Sequence, residues 1–368
     1  MLQALHALGL TGEVAGQAAW PFGARIAVET LLIDRGLARQ IAWALAALVF
    51  ALLLAALGTA WRRGRLLAWL ASLVLLLATP WPPLSLVLAG AVPTSFHRSP
   101  LGFEATAIAR GRALYRTHCL ACHGADGRGE GPAAASLPVW PPTLSAGLLW
   151  KRSEGELLWR VLHGMHNRRG ETTMPGFAGQ LDEADAWALL DGMRALSAGV
   201  AARREASWPW PVRAPDFEVA CGGQAPRPLA SWRGQRLRIV AGGGAPLPQP
   251  LEDPRLVTVV LQAGGSATRP DCIAASPGAA WQAYALVAGV DGAALAGMQF
   301  IVDREGWLRA LARPGQGGWS EDSLICRSDG VAAAGRPPLL QRDGLGALIA
   351  RMDGDPVQSA GLGLAHGR

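Results

Sequence analysis

Cys119-Leu-Ala-Cys122-His123 is the stretch on which the reading of this 368-residue chain turns. Each thiol of a C-x-x-C-H can add across one haem vinyl group, and the two-residue spacer lets both sulfurs reach one edge of the macrocycle. The histidine that follows then falls beneath the iron as an axial ligand. A thioredoxin-type dithiol and half of a zinc site share the C-x-x-C spacing. Neither needs the trailing histidine, and no second C-x-x-C exists to complete a zinc site. The spacing therefore predicts one covalently attached c-type haem, held by Cys119, Cys122 and His123.

Working outward, Glu104 to Thr117 reads as a helix with Ile108, Gly111, Leu114 and Tyr115 on its inner side. Asp182 to Leu196 reads as a second helix, N-capped by Asp182 and carrying Trp187, Leu190 and Met193. A glycine on one helix lets the other approach closely, and an aromatic from each flanks the crossing. Ser153 and Glu156 make a capping box for a short helix ending near Gly164. Three short helices joined by glycine-rich loops, such as Gly124 to Gly131, make a small all-α domain able to wrap a haem.

The sixth iron ligand should lie on a loop that closes over the other haem face. Met174, in Thr-Thr-Met-Pro-Gly-Phe, is the best candidate, because Pro175 stiffens the loop and thioether sulfur is a soft ligand that raises the potential. Met165, His163 and His166 compete from the capped helix and just beyond it, and the histidines read better as solvent or propionate neighbours. Met193 sits at a core-facing helical spacing and reads as packing. Pro142 either offers its carbonyl to His123 Nδ1, fixing the imidazole, or belongs to a plain turn.

Ile41 to Trp61 carries no charge over 21 residues, enough for a helix to cross a hydrocarbon core. A loop with Arg62, Arg63 and Arg65 follows, then a second apolar stretch from Leu66 to about Val92. Pro80, Pro82 and Pro83 should kink or break that helix in its outer third; alternatively it spans only to Thr79 and the rest lies along the interface. By the positive-inside rule the arginine loop stays in the cytoplasm, which puts everything after Val92 on the far side. The first ten residues lack the charged start of a cleavable signal, so the first span reads as an uncleaved export signal. Ile26, Val28, Leu31 and Leu32 among Arg25, Glu29, Asp34 and Arg35 suit an interfacial amphipathic helix.

Half the residues are apolar, an excess that these segments account for. The net charge of +6 is nearly all arginine, since Lys151 is the only lysine, and no basic run with interleaved aromatics points to nucleic acid. Five cysteines leave three beyond the haem pair.

Arg110-Gly-Arg-Ala-Leu-Tyr115, the C-x-x-C-H, Asp126-Gly-Arg-Gly-Glu-Gly-Pro132 and Met174-Pro175 together resemble class I cytochrome c domains. The longer run from Pro93-Thr-Ser-Phe through Ala133-Ala-Ala-Ser-Leu-Pro138 is similar to cytochromes fused to copper-resistance D-like membrane proteins. The resemblance covers about residues 93 to 350. Two spans stand here where such fusions carry a larger helical membrane domain.

Trp208-Pro-Trp-Pro-Val-Arg-Ala-Pro215 reads as a stiff linker. Beyond it, Arg236 to Ala241, Leu256 to Leu261, and Gln299 to Val302 paired with Trp307 to Leu311 read as strands, with a helix near Ala279 to Leu286. Ala214-Pro-Asp-Phe217, Leu229-Ala-Ser-Trp-Arg-Gly234 and Phe300-Ile-Val-Asp-Arg-Glu-Gly306 resemble the thioredoxin-like fold of peroxiredoxin and its relatives. The redox cysteine of that fold is missing: Gly242-Gly-Gly-Ala-Pro-Leu-Pro-Gln-Pro250 follows the first strand, and Met298 stands where a proline often faces the dithiol. Cys272 and Cys326 could form a disulfide, with Cys221 able to replace either partner.

The expected chain is a multidomain membrane protein. It comprises an amphipathic segment (1–38), two transmembrane helices (39–93), a cytochrome c domain (94–199), a linker (200–215), a thioredoxin-like α/β domain without a redox cysteine pair (216–352) and a tail (353–368). Its expected task is electron transfer through one His123/Met174-ligated haem, on the periplasmic side of the cytoplasmic membrane, with another cytochrome or a terminal oxidase as partner. A haem peroxidase or reductase would instead need an open iron and a distal base such as His163 or His166. An accessory module in copper handling would want a cysteine pair or a methionine-rich tract, and the six methionines are scattered.

Overall fold

Twenty-six residues from Arg35 to Ala60 wind into one helix (α1) with no acidic residue in it. At 1.5 Å per residue it is about 39 Å long, more than the roughly 30 Å of a bilayer's hydrocarbon core. Within its Gly36–Ala60 portion an 18-residue stretch has a mean hydropathy of 2.5, and that portion is long and apolar enough to cross a membrane. A second helix (α2), Arg65–Ala78, packs back on it through Ser72 Oγ to the Ala51 carbonyl (2.9 Å) and Trp69 Nε1 to the Ala55 carbonyl (3.2 Å). Its 14 residues are too short to cross by themselves. The chain turns extended at Thr79, ahead of Pro80, as the loss of proline's N–H and the restriction on the preceding residue require.

The computed structural model describes residues 2–27, 35–61, 63–243, 253–261, 270–315, 318–320, 323–326 and 344–357. It separates into a unit up to residue 95 and a unit from 96 to 359. In the first unit the expected interfacial helix is not what Ile26 joins. Strand Ala24–Ile26 pairs antiparallel with Leu88–Gly90. Val28, Leu31, Leu32 and Arg62 lie outside the described residues.

In the second unit, α3 (Ala105–His118) crosses α5 (Glu183–Glu205), while α4 (Glu154–His163) packs beside α5. Asp182 caps α5 by accepting from Asp185 N–H (2.7 Å), and Ser153 caps α4 by accepting from Glu156 N–H (3.4 Å). Every residue of α5 from Ala186 through Ala202 is buried, so this helix is covered all round. Residues 200–205, expected as the start of a linker, are its last turn and a half.

After α5 the chain builds a mixed sheet of seven strands among the described residues. In chain order they are β1 (Glu218–Cys221), β2 (Arg227–Pro228), β3 (Leu237–Val240), β4 (Val257–Val260), β5 (Cys272–Ala274), β6 (Gln299–Val302) and β7 (Leu308–Ala312). The order across the sheet is β7-β6-β3-β4-β5-β1-β2, with β3, β4 and β5 parallel and the flanking pairings antiparallel. Central β3, Leu-Arg-Ile-Val, is buried at all four positions, as a strand covered on both faces must be. Helix α6 (Pro277–Ala288) brings Ala280, Ala283, Tyr284 and Val287 to one core, and α7 (Gly344–Gly354) brings Leu348 and Met352 to another.

The first of these cores runs without a break into the helical part. It joins Phe103, Ala105 and Ile108 of the α3 region, Ala195, Ala198 and Ala202 of α5, and Trp208 and Val212 of the expected linker to Tyr284, Val287 and Phe300. Trp208 is fully buried, and its indole N–H donates to the Val287 carbonyl (3.1 Å).

Candidate functional site: a covalent haem centre

The helix α3 ends at His118, and one further helical turn, Leu120–His123, carries the cysteine–histidine motif. The following loop closes back on that turn. Ala133 N–H donates to the Ala121 carbonyl (2.8 Å), Gly131 N–H to Cys122 (3.1 Å) and Gly129 N–H to His123 (2.9 Å). A Cβ at Gly131 would meet the Ala121 carbonyl oxygen at 2.3 Å, which is why glycine stands there. Buried Tyr115 donates its hydroxyl hydrogen to the Gly124 carbonyl (2.7 Å), tying the loop to α3. Three consecutive carbonyls of the motif are thus satisfied, which fixes the turn.

Cys119 and Cys122 are free thiols, not a disulfide. Burial, with Cys122 as a lesser influence, pushes the Cys119 thiol up to about 12. Burial pulls the His123 imidazole down while the Pro142 carbonyl pulls it up, and the net direction is down, towards the neutral ring that ligates metals. His123 Nδ1 is buried and makes no hydrogen bond, with the Pro142 carbonyl as a near neighbour of the ring. Two unpaired thiols and a neutral imidazole on one turn, with the ring's second nitrogen beside a carbonyl, fit a covalently held haem.

The expected sixth ligand, Met174, ends a two-stranded hairpin of Met165–His166 and Thr172–Met174, in which Met165 is directly opposite Met174. Met174 is half-buried and packs against the cluster that holds Tyr115, Cys119, Phe177, Leu181 and Trp187. A Cβ at Gly164 would meet the Met174 carbonyl oxygen at 2.5 Å, so this glycine lets α4 end against the methionine loop. Met165 is 39% exposed. His163 and His166 are exposed, and His163 lies against the Trp159 ring at 3.8 Å. Met193 is buried within the cluster as packing. The structure thus places Cys119 and Met174 against one core and leaves the competing histidines outside it.

The helix crossing behind the site rests on two glycines, of which sequence reasoning singled out one. A Cβ at Gly111 would meet the Ala188 carbonyl oxygen at 1.8 Å, and a Cβ at Gly192 would meet the Gly111 carbonyl carbon at 2.6 Å. The signal for Gly192 was its place in a helix interior, where glycine costs about 1 kcal/mol against alanine unless packing demands it.

Residues 108–197 match the cytochrome c family. This segment is a cytochrome c domain. Such a domain implies covalently bound haem c. A dihydro-heme d1 dehydrogenase of Pseudomonas aeruginosa is 45% identical over 84 residues, which are 22% of this chain and 14% of that protein. The chain therefore spans about a seventh of that relative's length. A chain of the reducing HAO-like protein complex of Kuenenia stuttgartiensis is 26% identical over 29% of this chain and 51% of its own, with a TM-score of 0.24, too low to bear on the fold.

The remaining cysteines resolve as Cys221–Cys272, with Cys326 buried and free. The first two are register partners on β1 and β5, their Cα atoms 4.1 Å apart, whereas Cys326 lies beside Arg309. Met298 is buried, and its carbonyl accepts from Ala241 N–H (2.9 Å) at the end of β3. Residues 244–250, where the missing redox cysteine would fall, lie outside the described residues.

Proposed function

We propose that this protein is a membrane-anchored c-type cytochrome that carries electrons through one haem, whose iron His123 and Met174 would ligate. The observation that carries the reading is the hairpin that packs Met174 against the cluster containing Cys119, while His163 and His166 remain exposed. The haem supplies one-electron cycling of its iron. Cys119 and Cys122 would hold the haem covalently, His123, which burial keeps towards its neutral form, would ligate the iron, and a Met174 thioether ligand would favour the reduced state. The apolar cluster of Leu157, Leu158, Phe177 and Trp187 would shield the inner side of the site from water.

We read α1 as the anchor, with the Arg63–Arg65 turn on the cytoplasmic side and α2 together with the apolar residues up to Val92 returning the chain across the bilayer, so that residues 96–359 face the periplasm. There the partner is another cytochrome or a terminal oxidase. The sheet with α6 and α7 on its two faces supports a thioredoxin-like reading of the α/β region, with a structural disulfide in place of a redox pair. A catalytic reading draws on the name of the Pseudomonas relative, yet most of that protein has no counterpart here.

Optical spectra of the detergent-extracted full chain test the proposal. A low-spin haem c with a methionine–iron band and no response to carbon monoxide is expected. A high-spin or carbon-monoxide-binding haem overturns it and favours an enzyme with an open iron. Met174→Ala should turn the spectrum high-spin or exchange the ligand; an unchanged spectrum removes Met174 from the iron.

A further inference from the structure

Far along the chain from the haem motif, two turns of the α/β region meet over a small cleft. One is Leu229 to Gly234, the other Asp303 to Gly306, and Gly234 N–H donates to the Arg304 carbonyl (2.8 Å). Each brings or supports an arginine. The Arg213 guanidinium lies 4.0 Å over the Trp307 ring, and its Nη1 donates to the Glu305 carbonyl (3.1 Å). Arg233 approaches from the other turn. A Cβ at Gly306, which has φ +87°, would meet Arg213 Nη1 at 3.5 Å and Arg233 Nε at 3.7 Å. Two guanidinium groups therefore border the same space above a glycine. Burial first, and Arg233 second, pulls the Arg213 guanidinium down to about 10, so the pair costs the fold something.

The walls are rich in donors. Arg213 Nε and Trp232 Nε1 are buried without a hydrogen-bond partner, and the residues of both line the cleft. The carboxylates in the same walls are already engaged. Asp216 accepts from Ala230 N–H (3.1 Å), while Asp303 accepts from Trp307 N–H (2.8 Å) and from Arg309 Nη1 (3.2 Å). Arg213 Nε and Trp232 Nε1 are the donors that these carboxylates leave without an acceptor. Its cavity volume of about 30 Å³ is on the scale of one or two waters, enough for the head of a small acid. Planar guanidinium forks match planar carboxylates in geometry as well as charge.

The geometry points to a carboxylate-binding site between Arg213 and Arg233, taking the carboxyl head of a small organic acid. Arg213 is the fixed arm, clamped on Trp307, and Arg233 is the exposed arm that closes on the ligand.

Titrating the detergent-solubilised full chain with sodium acetate by calorimetry, at constant ionic strength, tests this. Saturable uptake at one site is expected, weakened at least tenfold in Arg233→Gln, whose haem spectrum and melting temperature should match the parent. Arg233→Lys keeps the charge without the fork and should fall between the two. No saturable uptake by the parent, or uptake unchanged in Arg233→Gln, overturns the site. Saturable binding of inorganic phosphate with none of acetate overturns the carboxylate assignment.

Discussion

Replacing Trp208 by alanine tests whether the haem domain and the α/β region share one stability. Trp208 follows α5, in the segment whose prolines and tryptophans read as a linker, yet it is fully buried and bonded to the Val287 carbonyl of α6. Truncating a buried tryptophan costs about 3–5 kcal/mol, and leaving the Val287 carbonyl without its donor adds about 1 kcal/mol or more. In a unit of this size each kcal/mol lowers the melting temperature by roughly 2–4 °C, so a fall of about 8–24 °C is expected if unfolding is cooperative. The assay is thermal unfolding of the full chain followed at the haem band, in parallel with far-ultraviolet circular dichroism. Both probes should move together. A haem transition within a degree of the parent, with only the dichroism changed, would refute the shared core and restore two independent domains.

Other perturbations reach different parts of the argument. Gly111→Val would drive side-chain atoms into the Ala188 carbonyl across the helix crossing, and holoprotein yield by haem staining should collapse. Cys272→Ser opens the Cys221–Cys272 link, whose sequence separation is 51, and should cost about 4 kcal/mol in a denaturant titration. Alkylation of the denatured holoprotein should label one cysteine, Cys326, in the parent and two in the variant; three in the parent would remove the disulfide. Asp191 is almost wholly buried, and that burial, reinforced by Glu154 and Glu104 and opposed by Arg194, pushes its carboxyl up to about 7. The unfolded chain then holds fewer protons than the native one between about pH 4 and 7, so stability falls as pH rises through that window, by up to about 4 kcal/mol. Asp191→Asn should flatten that slope in urea titrations at pH 4.5 and 7; an unchanged slope means another group sets it.

The features legible in the sequence were those written within a few residues. The C-x-x-C-H, the Asp182 and Ser153 caps and the β-branched runs of β3 and β4 each carry their chemistry locally. The disulfide was not legible, because its pairing depends on the register of β1 against β5. Those strands have four and three residues, too short for periodicity to mark them. The approach of Arg213 to Arg233 was hidden for the same reason, since it depends on how two distant turns meet.

The end of α5 shows a different kind of blindness. Ser197-Ala-Gly-Val-Ala-Ala202 has no large residue beyond one valine, and before a Pro/Trp-rich stretch it reads as a helix fading into a linker. Small residues are what close backbone packing needs. A Cβ at Gly199 would meet the Leu286 carbonyl oxygen at 1.8 Å, and one at Gly289 would meet the Gly199 carbonyl oxygen at 2.0 Å. Backbone lies on backbone there, with no side chain between to yield. Seven residues earlier, Gly192 makes the same kind of contact with α3. One helix is therefore seated by two glycines, one against the element that leads into the haem motif and one against the α/β region. A flexible tether would let the two parts move independently. This arrangement makes α6 a brace on α5, so a change that loosens the sheet should be felt at the haem before either part unfolds alone.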